Sequence, residues 1–216
     1  LFASEAKAFL RHPAFRARLD LQALTEYLTF QNILTDRTFF DGVRVFPAGC
    51  LGVFPLSGDG NMRLTRYWDF AFAEAEHAPS EDDAEAELDF LFQQAVRRQL
   101  VSDVELGAYL SGGVDSGSIT AVAAVQLPCI KSFTCGFDLR SASGIELGFD
   151  EREKAEYLSY LFKTEHYEVI LKSGDLERVM PQLAWHMEEP RIGQSYPNYF
   201  AAKLASRFVK VTLAGS

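Results

Sequence analysis

The run Leu106–Leu110 passes without a break into Ser111-Gly112-Gly113-Val114-Asp115-Ser116, and apolar residues from Ile119 to Val125 then recur at helical spacing. A chain that leaves a strand through two glycines and enters a helix at once has few folds open to it. The glycines permit a tight turn and bring backbone N–H groups against an anion with no side chain between. The helix N-terminus adds unsatisfied donors and the positive end of its dipole. Ser111 and Ser116 carry hydroxyls able to donate to phosphate oxygens. Asp115 is the odd member, because a carboxylate repels a phosphate. A divalent cation shared between the two removes that conflict, and Mg2+ suits such oxygen ligands. The reading without a ligand is a Gly-rich turn capped by Asp115 or Ser116. No Gly-Lys-Ser/Thr is present, so this is not a Walker loop.

The sequence around this junction alternates. Strand-like runs at 104–110, 130–136, 167–171 and 209–214 are separated by helical patterns at 116–126, 150–163, 175–187 and 196–207, with a Gly- and Ser-rich loop before 150. Strands rich in Val, Ile and Phe, joined by helices, predict an α/β fold: a parallel sheet with helices on both faces. Ligands in such sheets sit at the carboxyl ends of the strands. Both the Ser-Gly-Gly segment and Ala214-Gly215-Ser216 fall there. Upstream, Ser80-Glu81-Asp82-Asp83 resembles a capping box opening a helix over 81–100, with Leu88, Leu91, Phe92, Ala95 and Leu100 at helical spacing.

Residues 71–80, rich in Ala, Glu and Pro, read as a linker, which divides the chain into 1–70 and 71–216. The first part mixes short pieces. Ser4 is placed to cap a short helix ending near Arg11-His12-Pro13, and Asp20 a second one with Leu21, Leu24, Tyr27 and Leu28 on one face. Val43, Val45 and Phe46, then Pro47-Ala48-Gly49, then Leu51, Val53 and Phe54 read as a hairpin. A further turn at Ser57-Gly58-Asp59-Gly60-Asn61 leads to Tyr67-Trp68-Asp69.

With 216 residues, 48% of them hydrophobic, the chain can bury one good core or one core and part of a second. Its formal charge of −9, from 21 basic and 30 acidic residues, argues against a sequence-independent nucleic-acid binder, which needs a basic face. No apolar run approaches membrane-spanning length, and no signal-peptide pattern opens the chain. Cys50, Cys129 and Cys135 have neither paired nor metal-type spacing, which suits reduced thiols in a cytoplasmic protein. The chain starts at Leu1 and stops after an apolar run, so it reads as an interior piece of a longer protein.

Ser-Gly-Gly-x-Asp-Ser resembles the pyrophosphate loop of the N-type ATP pyrophosphatases, and within that superfamily the chain resembles glutamine-dependent asparagine synthetase. Leu1-Phe2-Ala3-Ser4-Glu5-Ala6-Lys7-Ala8 is similar to the end of that family's glutaminase domain, and Arg66-Tyr67-Trp68-Asp69 to its linker. Phe149-Asp150-Glu151, His166-Tyr167-Glu168 and Glu188-Glu189-Pro190 stand in the family's order. Val209-Lys210-Val211-Thr212-Leu213-Ala214-Gly215 resembles the strand entering its second nucleotide loop. The family more often has Leu at 114, Ser at 214 and Asp at 188. Ala214 removes a hydroxyl near the nucleotide but keeps the backbone donor, and Cys50 is given no role.

The resemblance implies an adenine nucleotide alpha hydrolase-like α/β domain over 71–216, preceded over 1–70 by the tail and linker of an α+β glutaminase domain. It implies that ATP activates the aspartate side-chain carboxylate as an acyl-adenylate, with pyrophosphate leaving, and that ammonia derived from glutamine then attacks. By the same resemblance the backbone of Leu110 and Cys135 flanks adenine, and Ala214 and Gly215 lie near AMP. Ser111, Gly112, Gly113 and Ser116 hold pyrophosphate, and Asp115 is the catalytic and Mg2+-holding carboxylate. The small-molecule partners are ATP, aspartate, and glutamine or ammonia; a homodimer is the expected assembly. Asp150 and Glu151 read either as helix caps or as contacts near the pyrophosphate. His166 reads as structural, Glu188 and Glu189 as a solvated helix end or site-facing carboxylates, and Trp68 and Trp185 as core. Glutaminase chemistry in this family uses an N-terminal cysteine, and no cysteine lies near residue 1. The piece alone is therefore expected to be inactive, with that nucleophile upstream and a second metal-binding acid and catalytic lysine region downstream. Two alternatives remain open at this level: relatives that close β-lactam or macrolactam rings, and a nucleotide-binding regulatory module without catalysis.

Overall fold

The computed structural model of the chain describes residues 1–57, 61–72, 79–141, 148, 150–190 and 195–215. It divides into two units, one of residues 1–78 with 184–192, the other of 79–183 with 193–216.

In the first unit, a 3-10 turn at Ala6–Arg11 stands where the sequence suggested a helix capped by Ser4. Its N-cap is Glu5, with no side-chain cap of its own. Glu188 takes that role, accepting the Ala6 and Lys7 amides at 2.8 and 2.7 Å. Helix α1, Leu21–Phe30, is capped as expected by Asp20, which accepts the Gln22 and Ala23 amides. The buried face matches the predicted one in part, at Tyr27 and the half-buried Leu24. Ala23 and Tyr27 are buried while Leu21 and Leu28 are exposed, because the Tyr27 ring packs edge-on against Phe39 and its hydroxyl donates to the Pro190 carbonyl. The hairpin also differs. Strand β1, Cys50–Val53, pairs antiparallel with β2, Arg63–Arg66, and not with 43–46. Gly49, at φ +64°, turns the chain so that its carbonyl accepts the Tyr67 and Trp68 amides, extending the β1–β2 pairing. Most of the linker, 73–78, lies outside the described residues.

The second unit opens on α2, Glu81–Gln99. Ser80 accepts the Asp83 amide at 3.2 Å and donates to the Asp83 carboxylate at 2.6 Å. Only the last turns of α2 enter the core, through Val96 with Phe92 and Leu100; Leu88 and Leu91 are exposed. Then come β3 (Leu106–Tyr109), α3 (Val114–Gln126), β4 (Lys131–Phe137), α4 (Arg152–Phe162), β5 (Glu165–Leu171), α5 (Asp175–Met187), α6 (Ser195–Ala205) and β6 (Val211–Leu213). The four strands of this unit form a parallel sheet in the order β5-β4-β3-β6. Sequence and structure agree on the fold class.

The layers follow from strand parity, since successive side chains face opposite sides. Ala108 joins Val96, Ala123 and Ile130 in a core beneath α2 and α3. On the other face Phe133 packs with Ala205, Val209, Tyr109 and Tyr167 beneath α6. Right-handed crossovers require this arrangement. The chain steps from β3 to β4 to β5 with α3 and α4 on one side, then crosses back past β3 to β6 with α6 on the other. The direction of winding therefore reverses between β3 and β6.

Candidate functional site

The reversal lies between β3 and β6, and it is at the carboxyl ends of the strands at such a point that doubly wound sheets bind ligands. Two loops meet there. The one leaving β3 carries the Ser111–Ser116 run, and the one leaving β6 carries Ala214-Gly215. A Cβ on Gly215 would lie 2.8 Å from the Asp115 carbonyl carbon and the Ser116 nitrogen, so Gly215 rests directly on the first turn of α3.

Three glycines here do three different things. Gly112 sits at φ +79°, and a Cβ there would lie 2.5 Å from Lys154 Cβ and 3.2 Å from the Ala155 nitrogen. Its bareness serves the packing of α4 against the loop. Gly215 serves the packing of the second loop on α3. Gly113 has ordinary φ, and among the described residues a Cβ there would meet only Ser111 Oγ, at 3.3 Å, so it is the glycine that keeps an approach open.

Gly113 is the N-cap of α3 and makes no side-chain cap. Neither Asp115 nor Ser116 takes that place, which removes the reading of a merely capped turn. Ser116, buried at 6% exposure, accepts the Ser111 amide at 3.1 Å and touches the Ser111 hydroxyl at 2.9 Å. Ser116 is thus an internal brace of the loop, and Ser111 is its exposed hydroxyl. Among the described residues Asp115 is exposed and has no ion-pair or hydrogen-bond partner. Among the described residues the amides of Val114, Asp115 and Ser116 stay free of side-chain acceptors, while that of Gly113 donates to Ser111 Oγ at 3.4 Å, an arrangement suited to an anion with a cation at its edge.

Leu110, fully buried, enters the loop with its amide donating to the Phe133 carbonyl at 3.0 Å and its carbonyl accepting the buried Thr134 hydroxyl. Cys135 lies next on β4. Burial, and then the nearby Asp150 charge, push its thiol up to about 12, so it stays protonated at neutral pH. Of the pair read as caps or site contacts, Asp150 forms a two-oxygen ion pair with Arg152, at 2.8 Å from Nε and 2.6 Å from Nη2. The Arg152 side chain holds its carboxyl below the usual carboxylate range. Glu151 occupies the N-cap of α4 without a side-chain cap. Phe149, Ser216 and most of the Gly- and Ser-rich loop lie outside the described residues.

His166 is structural in its contacts, with Nδ1 at 2.8 Å from the buried Ser132 hydroxyl and Nε2 at 3.3 Å from Glu168. Glu188 is held in the first unit on the Ala6 and Lys7 amides. Trp68 and Trp185 are each 53% exposed, so neither is a core residue; Trp185 lies under the Lys7 ammonium, 5.9 Å from the ring centroid. Thr134, Gly136 and Arg152 were not singled out by the sequence. Their signal depends on register between β4 and its neighbours, which no local pattern reveals.

No group of three or more His, Cys, Asp or Glu able to hold a metal occurs among the described residues. Mg2+ needs no such group, since it is commonly bound by one or two carboxylates together with substrate phosphates and waters. The unpartnered Asp115 fits that single-carboxylate role.

A parallel sheet reversing at β3 and β6, with an uncapped helix start at the reversal, belongs to the α/β nucleotide-binding class. Comparison with known proteins sharpens this. The asparagine synthase family profile matches residues 87–216, and that of a glutamine amidotransferase domain matches 1–68. The chain is 45% identical, over its whole length, to asparagine synthetase [glutamine-hydrolyzing] 3 of Bacillus subtilis, covering 36% of that protein. It is 28% identical over 99% of its length to a putative asparagine synthetase [glutamine-hydrolyzing] of Mycobacterium tuberculosis and to asparagine synthetase [glutamine-hydrolyzing] 1 of Bacillus subtilis, covering 32% of each. The chain belongs to the asparagine synthase family. It spans about a third of the length of these curated relatives. No helix among the described residues is long and apolar enough to cross a membrane.

Proposed function

We propose that this chain carries the ATP-cleaving site of a glutamine-hydrolysing asparagine synthetase. The observation that carries the reading is the meeting of Gly215 with the uncapped start of α3 at the β3–β6 reversal, beside an unpartnered Asp115. The names of the relatives favour asparagine over lactam formation, and the free carboxylate of Asp115 favours catalysis over a regulatory module.

The chemistry follows from what a carboxylate lacks. It is a poor electrophile, and adenylation gives it a good leaving group. An oxygen of the aspartate side-chain carboxylate bonds to the α-phosphorus of ATP, the bond from that phosphorus to the bridging oxygen breaks, and pyrophosphate leaves. Ammonia then attacks the acyl carbon, loses a proton, and AMP departs with the oxygen that linked it. Negative charge grows on the departing pyrophosphate, where the first-turn amides of α3 and the Ser111 hydroxyl meet it. Mg2+ held by Asp115 would supply further charge stabilisation there. The backbone of Leu110 and Cys135 would flank adenine, with Ala214 and Gly215 near AMP, and Gly112 and Ser116 keeping the loop in shape. Ammonia would come from glutamine through the amidotransferase part to which residues 1–68 are similar. A cytoplasmic homodimer is the assembly we propose.

The test is pyrophosphate release by the full-length protein with ATP, Mg2+ and a panel of amino acids, alongside Asp115→Asn. Aspartate alone should stimulate release in the wild type. Asp115→Asn keeps size and turn-forming ability but loses charge. ATP affinity should fall modestly and turnover by roughly two or more orders of magnitude, as when one charge-stabilising group is removed elsewhere. Near-normal turnover in the variant, or no release with aspartate, would overturn the reading.

A further inference from the structure

The Arg152 side chain does more than neutralise Asp150. Its stem lies flat across Gly136 of β4, and a Cβ on Gly136 would fall 2.5 Å from Arg152 Cγ and nearer still to Cδ. Beyond that stem, Nε and Nη2 bond both oxygens of Asp150, and Nη2 also donates to the Phe137 carbonyl at 2.9 Å. The guanidinium thus ties three points together: the last residue of β4, the segment before α4, and the first turn of α4 itself. That same first turn is what Gly112 rests on, through Lys154 Cβ and the Ala155 nitrogen. Ala155 is completely buried, so the turn has no room to settle elsewhere.

We propose that Arg152 is a positioning residue for the Ser111–Ser116 loop, acting through the first turn of α4. It touches neither nucleotide nor pyrophosphate. It fixes α4 against β4, and α4 in turn holds Gly112 in its left-handed conformation. The planar fork is essential to this, because an ammonium cannot bond two carboxylate oxygens and a carbonyl in one plane. Gly136 is the other half of the device, as any side chain there displaces the arginine stem. The proposal rests on the ATP-site reading for its kinetic consequences and on geometry alone for its structural ones.

The experiment is a double-mutant cycle in the full-length protein with Arg152→Ala, Gly136→Ala and the pair, together with Arg152→Lys. Two readouts are followed: KM and kcat for ATP in aspartate-dependent pyrophosphate release, and amide hydrogen exchange at 111–117. Each single variant should raise KM for ATP about tenfold and change kcat less than threefold. The pair should be no worse than either single variant, because the two changes break one contact. Arg152→Lys should not restore KM. Within 111–117 the bonded amides of Ser111 and Gly117 should exchange about tenfold faster in each variant. A merely structural arginine would give another pattern: a smaller active fraction, seen as lower kcat at unchanged KM. Additive effects, a neutral Gly136→Ala, rescue by lysine, or unchanged exchange at 111–117 would each overturn the proposal. If Arg152→Ala does not fold, Gly136→Ala and Arg152→Lys decide by the same criteria. If the wild type releases no pyrophosphate, the ATP reading fails separately and the exchange data still decide the role of Arg152.

Discussion

At the scale of single residues, the loop glycines differ in what they protect, and substitution separates them. Alanine at 112 meets both a left-handed φ and the Lys154 Cβ at 2.5 Å, and alanine at 215 meets backbone atoms of α3 at 2.8 Å. Both force backbone to move, at a cost of about 1–3 kcal/mol. Alanine at 113 asks only a few tenths of an ångström from Ser111 Oγ and leaves φ ordinary. Thermal melts should therefore drop for Gly112→Ala and Gly215→Ala and stay near wild type for Gly113→Ala. Calorimetry should show the reverse emphasis, with Gly113→Ala losing ATP affinity at unchanged stability. Full affinity in that variant would remove Gly113 from the phosphate path. Much of this was legible in the sequence, because a strand, two glycines and a helix start in a row specify a turn and its neighbourhood. The division of labour was not. Gly112 and Gly113 are equivalent as letters, and only the arrival of α4, forty residues later in the chain, tells them apart.

Elements were readable where apolar residues recur at helical spacing or run along a strand. The helix expected at 81–100 is Glu81–Gln99, and the strand expected at 130–136 is Lys131–Phe137. The hairpin went astray for the opposite reason. Strand β2 is Arg63-Leu64-Thr65-Arg66, exposed at all four positions, so it has no hydrophobic alternation to betray it, whereas Val43, Val45 and Phe46 are apolar and belong to no strand, Arg44 among them making an isolated bridge. Register was equally hidden: Ser132 meets His166 because parallel strands β4 and β5 align them. Capping was legible where it is local, at Asp20 and Ser80, and not at Ala6–Arg11, where the distant Glu188 supplies the acceptor. Ser80 holds the first turn of α2 through the Asp83 amide and carboxylate, with the turn itself exposed to water. Ser80→Ala should therefore cost about 1 kcal/mol locally. Amides 82–85 should exchange severalfold faster, with no change around Val96, which the core holds independently. A loss of protection along the whole of α2 would show that the cap nucleates the helix.

Across the whole molecule, the division into two units has an optical consequence. Both tryptophans, Trp68 and Trp185, fall in the unit made of 1–78 and 184–192, while most of the helix lies in the other. Tryptophan fluorescence and far-ultraviolet dichroism thus report different units. Each unit also carries acid-sensitive carboxylates, Asp138 among them in the second, lowered chiefly by the Arg140 amide. Asp20 in the first is held below the usual range chiefly by the Ala23 amide and then by Arg37, and Asp150 in the second chiefly by Arg152. A carboxylate with a depressed folded pKa stabilises above its unfolded value, near 3.9 for aspartate, and that contribution disappears as pH falls through the folded value. Denaturant midpoints by either probe should therefore stay level from pH 7 to about 5 and decline below about 4. Asp20→Asn separates the units. Asparagine caps about as well as aspartate but does not titrate, and it gives up the ion pair with Arg37. The fluorescence midpoint at pH 7 should drop while its decline below pH 4 becomes shallower. The dichroism profile should keep its wild-type shape, because Asp138 and Asp150 are untouched. If both probes shift together at every pH, the two units unfold as one, and the acid limb of neither can be assigned to its own carboxylate.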